Sequence, residues 1–123
     1  MTVPQKIALV EKLALISEHW RPKVIGALNG QEVKLVKVQG TFPWHHHETE
    51  DEFFLTISGR FVVEFRDRTV VLEPGECLIV PHGTEHRTAS EFESSVLIFE
   101  PAETRNTGNV VDATFTAPNG INV

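Results

Sequence analysis

The sequence predicts an all-β protein, a sandwich or barrel of short strands preceded by one helix. From Lys23 to Glu100, apolar and polar residues alternate with a period near two in nine short runs. Gly, Pro, Asn or Asp breaks the chain between them. A helical period of 3.6 occurs once, ahead of Pro22. The length of 123 residues suits a single domain, large enough to bury roughly two thirds of its unfolded surface without disulfide or metal staples.

The elements follow in order. Gln5 to His19 is expected to be helical, because Leu9, Leu13, Ile16 and Trp20 fall on one face and Pro22 helps to end the segment. Lys23–Leu28 and Glu32–Gln39 read as a hairpin joined at Asn29-Gly30, and apolar Val33 and Leu35 nearly alternate with polar Lys34 and Lys37, as suits a half-buried strand with Lys34 outward. Phe42–His47, Glu52–Ser58, Arg60–Arg66 and Thr69–Leu72 are the next strands. Pro74-Gly75 supplies a turn, and Cys77–Val80, Thr84–Ala89 and Ser94–Glu100 complete the set. Beyond Pro101 the pattern weakens to a loop, a peripheral strand over Val110–Phe115 and a loosely fixed tail from Thr116. The expected organisation is thus an N-terminal helical segment over residues 1–22, a barrel over 23–101 and a C-terminal loop and tail over 102–123.

Composition excludes several function classes. Seventeen acidic against eleven basic residues give a net charge of −6 with no Lys/Arg cluster, which argues against nucleic acid or an anionic membrane as partner. The single cysteine, Cys77, sits in an apolar run and is expected to be a buried core thiol. Glu11, Lys12 and Glu18 interrupt the apolar residues at the N-terminus, so neither a signal peptide nor a membrane span fits, and a cytoplasmic location is expected. A Ser/His/Asp triad, a glycine-rich phosphate loop and tyrosine acid chemistry are not visible; the chain has no Tyr.

Chemistry concentrates in four residues. His45 and His47 are one residue apart, so a strand presents both on the same face. The acidic turn Glu48–Asp51 lets the chain reverse and bring Glu52 beside them, and the Pro81-His82-Gly83 turn returns His86 along another strand. Three imidazoles and a carboxylate form a divalent transition-metal site, one ion per chain, without selecting among Fe, Mn, Ni, Zn and Cu. Another register would substitute Glu50 for Glu52, but alternation favours Glu52, Phe54 and Thr56 inward and Phe53, Leu55 and Ile57 outward. Phe54 and Thr56 then line the pocket with Thr88, which shares the His86 face, and Trp44 edges its mouth. Phe61 or Phe65, with Phe99, close the base. His46 and His82 are expected at the surface and His19 as an ordinary polar residue.

These stretches resemble the two signature motifs of the cupin superfamily. The first motif is met by His45, His47, Glu52 and Gly59, and the second by Gly75, Pro81, Gly83 and His86. Only four residues separate Gly40 from His45, and Ser90 stands where the second motif ends in Asn, but neither departure removes a ligand. The resemblance covers about Gln31 to Pro101. It implies a double-stranded β-helix, or jelly roll, with the four ligands around a metal inside the barrel. A weaker likeness extends over Glu100–Gly108 and implies no chemistry.

The function implied is metal-assisted binding or conversion of a small oxygen-rich organic molecule, with dioxygenase, isomerase and lyase chemistry all open. A binding or sensing module, and a barrel merely tightened by its metal, are the competing readings. A phosphorylated ligand would need a basic cradle, for which only Arg60, Arg87 and Arg105 are available, and surface charge accounts for each. The outward Phe53, Leu55 and Ile57 need covering, either by the N-terminal segment or by a second subunit, and a homodimer is expected.

Overall fold

A computed structural model describes residues 3–123. Seven strands carry the fold: β1 (Lys23–Leu28), β2 (Gln31–Thr41), β3 (Glu52–Ser58), β4 (Phe61–Glu64), β5 (Thr69–Leu72), β6 (Cys77–Val80) and β7 (Arg87–Pro101), with one helix, α1 (Leu9–Ala14). Every pairing is antiparallel, in the order β1-β2-β7-β3-β6, and β4 joins β5 to the start of β7.

The long strand β7 explains how the barrel closes. Its first residues, Arg87–Ala89, pair with β4, while its later residues pair with β3 on one side and β2 on the other. Between these halves the β2 partner jumps from Gly40↔Ser90 to Val38↔Ser94, and the extra residues bend the strand. Buried Ser90 and Ser94 hold the bend through a 2.6 Å hydroxyl contact. The two strands expected over Thr84–Ala89 and Ser94–Glu100 are therefore one bent strand, because local alternation does not reveal a bulge that keeps pairing on both sides.

Inward residues from six strands meet in one core: Val36 and Val38, Phe54, Phe61 and Val63, Leu72, Val80, and Val96 with Ile98. On β3 burial alternates from Glu52 through Phe54 to Thr56, so these three face inward. On β2 the expected sides are exchanged. Lys34 is buried on the same side as Val36 and Val38, where its Nζ lies 2.9 Å from Glu100 Oε1. Leu35 is buried as well, on the side where α1 packs. With both faces covered, the polar residue can turn inward because it finds a carboxylate.

Other expectations fail at the periphery. The helix is six residues long and not fifteen; Ala8 gives it no side-chain cap, and none of its residues is fully buried. Trp20 consequently leaves the helix and adopts φ +63°, its N–H donating to Lys37 O at 2.9 Å. Phe42–His47 is not a regular strand. Phe42 N–H reaches Thr88 O and His45 exchanges both backbone bonds with His86, so three steps on one side span two on the other, and Pro43 between them has no N–H to give. Cys77 is exposed, because β6 is an edge strand that turns Leu78 and Val80 inward and Cys77 and Ile79 outward.

Val110–Phe115 is a turn organised by Asp112 Oδ1, which accepts from the N–H groups of Thr114 and Phe115. The tail is fixed: Val24 N–H donates to Ile121 O at 2.7 Å, and Val123 N–H returns to Val24 O. Among the described residues no helix is long and apolar enough to cross a membrane.

Candidate metal centre

The irregular ladder between residues 42–47 and 83–88 places the histidines. His45 and His86 face each other through two 2.9 Å backbone bonds, and Gly83 N–H fixes the His47 carbonyl at 2.7 Å. Glu52, the first residue of β3, points into the same space. All four side chains are buried, and one donor atom from each lies within 4.8 Å of the other three.

Ring orientation is set by the backbone. The Nδ1–H of His45 donates to Pro43 O and that of His86 to Thr84 O, both at 2.9 Å, which leaves each Nε2 free to face the centre. The Phe42 ring meets His45 edge-on at 5.3 Å between centroids and limits its rotation. Glu52 Oε1 lies 3.5 Å from His47 Nε2 and 3.4 Å from His86 Nε2, too far for good hydrogen bonds. Those three atoms are buried without a hydrogen-bond partner. Buried polar atoms are nearly always satisfied, so three orphans this close together make a place that could hold a cation. Neutral nitrogens and a carboxylate oxygen fit a divalent transition ion.

The electrostatics act clearly on His45 and Glu52. Burial, reinforced by the neighbouring His86, lowers the His45 pKa from 6.5 to about 4, so this ring is neutral at pH 7. Burial pushes Glu52 the other way, but the His47 and His86 rings outweigh it and hold the carboxyl well below the usual carboxylate range. Glu100 is raised well above the usual range by burial and by the Glu52 charge, against the pull of Lys34.

A small, partly open cavity with about 40 Å³ free to water-sized molecules adjoins the centre, and His45 and Glu52 line it. Val36, Val38, Phe42, Phe54, Phe61 and Ile98 form its walls, Thr88 adds a hydroxyl, and Trp20, Pro22 and Asn106 also border it. Phe54 and Thr88 are thus among the residues that line this cavity. Thr56 is buried on the same face but lies outside this lining. Trp44 does not reach the cavity; the guanidinium groups of Arg66 and Arg87 lie 3.8 and 5.0 Å from its ring centroid. Phe65 packs on the core near His86, while Phe99 belongs to the outer face.

Glu50 bonds Thr49 and is not in the cluster. His46 pairs with Glu48 and His82 with Asp51 at the surface, and His19 pairs with exposed Glu93. Arg60 and Arg87 pair with Glu73 and Glu64, and Arg105 borders a solvent groove outside His47.

The segment after the barrel contributes residues that the sequence did not single out. Asn109 grips the peptide between the histidine ligands: its Oδ1 accepts from His46 N–H and its N–H donates to His46 O, both at 2.9 Å. Gly108, at φ +56°, lies so close that a Cβ there would meet His46 O at 2.2 Å. Asn106 donates to Phe115 O and accepts from Ala117 N–H, bringing Phe115 against Phe42 and Trp20 beside the cavity. The polar, glycine-containing run Asn106–Asn109 gave a turn signal, but nothing local tied it to a strand some sixty residues earlier.

Residues 32–100 match the family model described as Cupin domain. An uncharacterised protein of Bacillus subtilis, YdbB, is 39% identical over 77 residues, covering 62% of this chain and 68% of that protein. The crystal structure of a cupin-2 domain containing protein from Shewanella frigidimarina superposes with a TM-score of 0.76 at 39% identity, over 77% of this chain and 93% of that one. The acireductone dioxygenase of Bacillus licheniformis is 37% identical over 65 residues, 49% of this chain and 36% of that enzyme.

Proposed function

The chain belongs to the cupin family, and from that premise we propose that it holds one divalent transition-metal ion on His45, His47, Glu52 and His86 and uses it to bind a small organic molecule through its oxygens. The observation that carries this reading is the convergence of buried, unpartnered His47 Nε2, His86 Nε2 and Glu52 Oε1 beside a cavity. The ion, when bound, supplies Lewis acidity toward ligand oxygens and, if it is Fe, Ni or Cu, access to dioxygen. The protein's own part is to keep His45 neutral and Glu52 ionised, to orient the rings through Pro43 O and Thr84 O, and to hold the ligand against apolar walls that exclude water.

A metal-dependent dioxygenase is the more specific alternative, supported by the likeness to the acireductone dioxygenase, which spans only about a third of that enzyme. Reconstitution with Fe, Mn, Ni, Zn and Cu followed by elemental analysis tests the main reading, with about one ion per chain expected. Retention of none would refute it. Oxygen uptake by the Fe-loaded protein with keto acids and catechols separates the alternative from simple binding.

A homodimer is also proposed. On the outer face of the sheet, Val33, Phe99, Phe53 and Ile79 form one cross-strand row, and Leu35, Leu97, Leu55 and Cys77 the next. The N-terminal segment packs at the β1–β2 end, and exposure rises to 63% at Ile79 on the β6 edge. An apolar sheet face of this kind suits a second copy.

A further inference from the structure

We propose that the ligand of this cavity is a compact molecule with an apolar body and its metal-binding oxygen group at one end, and not a polyol, a sugar acid or a phosphate ester. The inference rests on the reading of the histidine–glutamate cluster as a metal centre and narrows the oxygen-rich class expected from the sequence.

Few polar side chains line the cavity. His45 and Glu52 close it on the metal side, and Thr88 supplies the hydroxyl. The Asn106 amide also borders the cavity, but it is engaged on both sides, donating to Phe115 O at 2.8 Å and accepting from Ala117 N–H at 2.9 Å. The remaining contact surface is aliphatic or aromatic. A ligand hydroxyl placed there gives up its water partners and gains none, which makes each additional hydroxyl unfavourable. A ring or branched alkyl group in the same place gains from leaving water.

Charge gives the same answer. Among the described residues no Lys or Arg lines the cavity. The nearby interior cation, Lys34, is committed to Glu100 at 2.9 Å and to Glu32 at 3.8 Å. A phosphate or second carboxylate on the far end of the ligand would therefore be buried without a counter-ion, facing a site that already holds Glu52. Size sets the last limit, since only about 40 Å³ is free to water-sized molecules, well below the usual range of ligand pockets, so the part of the ligand that enters must be compact.

The test compares ligands that share one 2-hydroxycarboxylate head. Protein loaded with Co(II), its occupancy fixed by elemental analysis, is titrated with mandelate, threonate and 3-phosphoglycerate, and the visible cobalt spectrum and calorimetric heat are followed. Mandelate is expected to bind about tenfold or more tightly than either competitor. In Val38→Thr, which adds a hydroxyl to the wall at nearly constant volume, the preference over threonate should narrow while the cobalt content is unchanged. Threonate or phosphoglycerate binding as tightly as mandelate would overturn the inference and leave the metal centre standing, as would cobalt-loaded protein that binds none of the three. Failure to retain cobalt would overturn the metal reading and this inference together.

Discussion

Gly108→Ala tests whether the segment after the barrel sets the geometry of the candidate metal ligands. An alanine Cβ there would lie 2.2 Å from His46 O, 2.9 Å from His46 C and 3.0 Å from His45 Cδ2. Cβ atoms essentially never approach other atoms below 3.0 Å, so the peptide between the ligands, or the loop, must move by about 0.8 Å (3.0 minus 2.2). Metal–ligand distances tolerate only about 0.2 Å. Gly120→Ala is the matched control, since Gly120 has a similar φ of +68° but nothing within 4 Å of the added Cβ. Both variants carry the cost of a side chain in left-handed backbone, about 1–2 kcal/mol. Gly108→Ala should add about 1–3 kcal/mol of overpacking in the metal-free protein and weaken metal binding about 10- to 100-fold. Urea denaturation of the metal-free forms and competitive Zn(II) titration measure the two effects. Equal stability and equal zinc affinity in the two variants would show that the close approach does not constrain the centre.

Three further outcomes are expected. The His45 pKa falls from 6.5 to about 4 in the folded metal-free protein, so the unfolded chain binds more protons between these values, and stability is lost as pH falls through that window. The loss attributable to His45 is about 2 kcal/mol between pH 7 and pH 5; urea titrations of wild type and His45→Gln should show it as a shallower slope in the variant, and identical slopes would contradict the assignment. Lys34→Met removes the partner of buried Glu100 and should cost about 3–5 kcal/mol when that carboxylate is left charged, less where its raised pKa lets it take up a proton. The double variant with Glu100→Gln should recover most of this, and a double variant no more stable than the single one would count against the pairing. Sedimentation should find a dimer for wild type and a monomer for Ile79→Lys, whereas a monomeric wild type would remove the role given to the outer face.

The β architecture and the candidate metal-binding cluster were legible in the sequence, because both are written in short-range spacing. Alternation along one strand puts Glu52, Phe54 and Thr56 on one side, and two turns suffice to return Glu52 and His86 to His45 and His47. The extents of elements were less legible. The helical period outlasts the helix because apolar spacing does not report a missing cap, and the β7 bulge hides inside an alternating run. That Lys34 turns inward was not legible locally, since it depends on Glu100 lying diagonally across from it on β7. The same holds for Asn109 and Gly108, whose partner peptide is more than sixty residues away, and for Trp20 taking a place in the cavity wall that Trp44 does not share. Periodicity states which face a residue takes within its own strand. What lies opposite that face follows from register and chain closure, and these are set by the packing of the whole barrel.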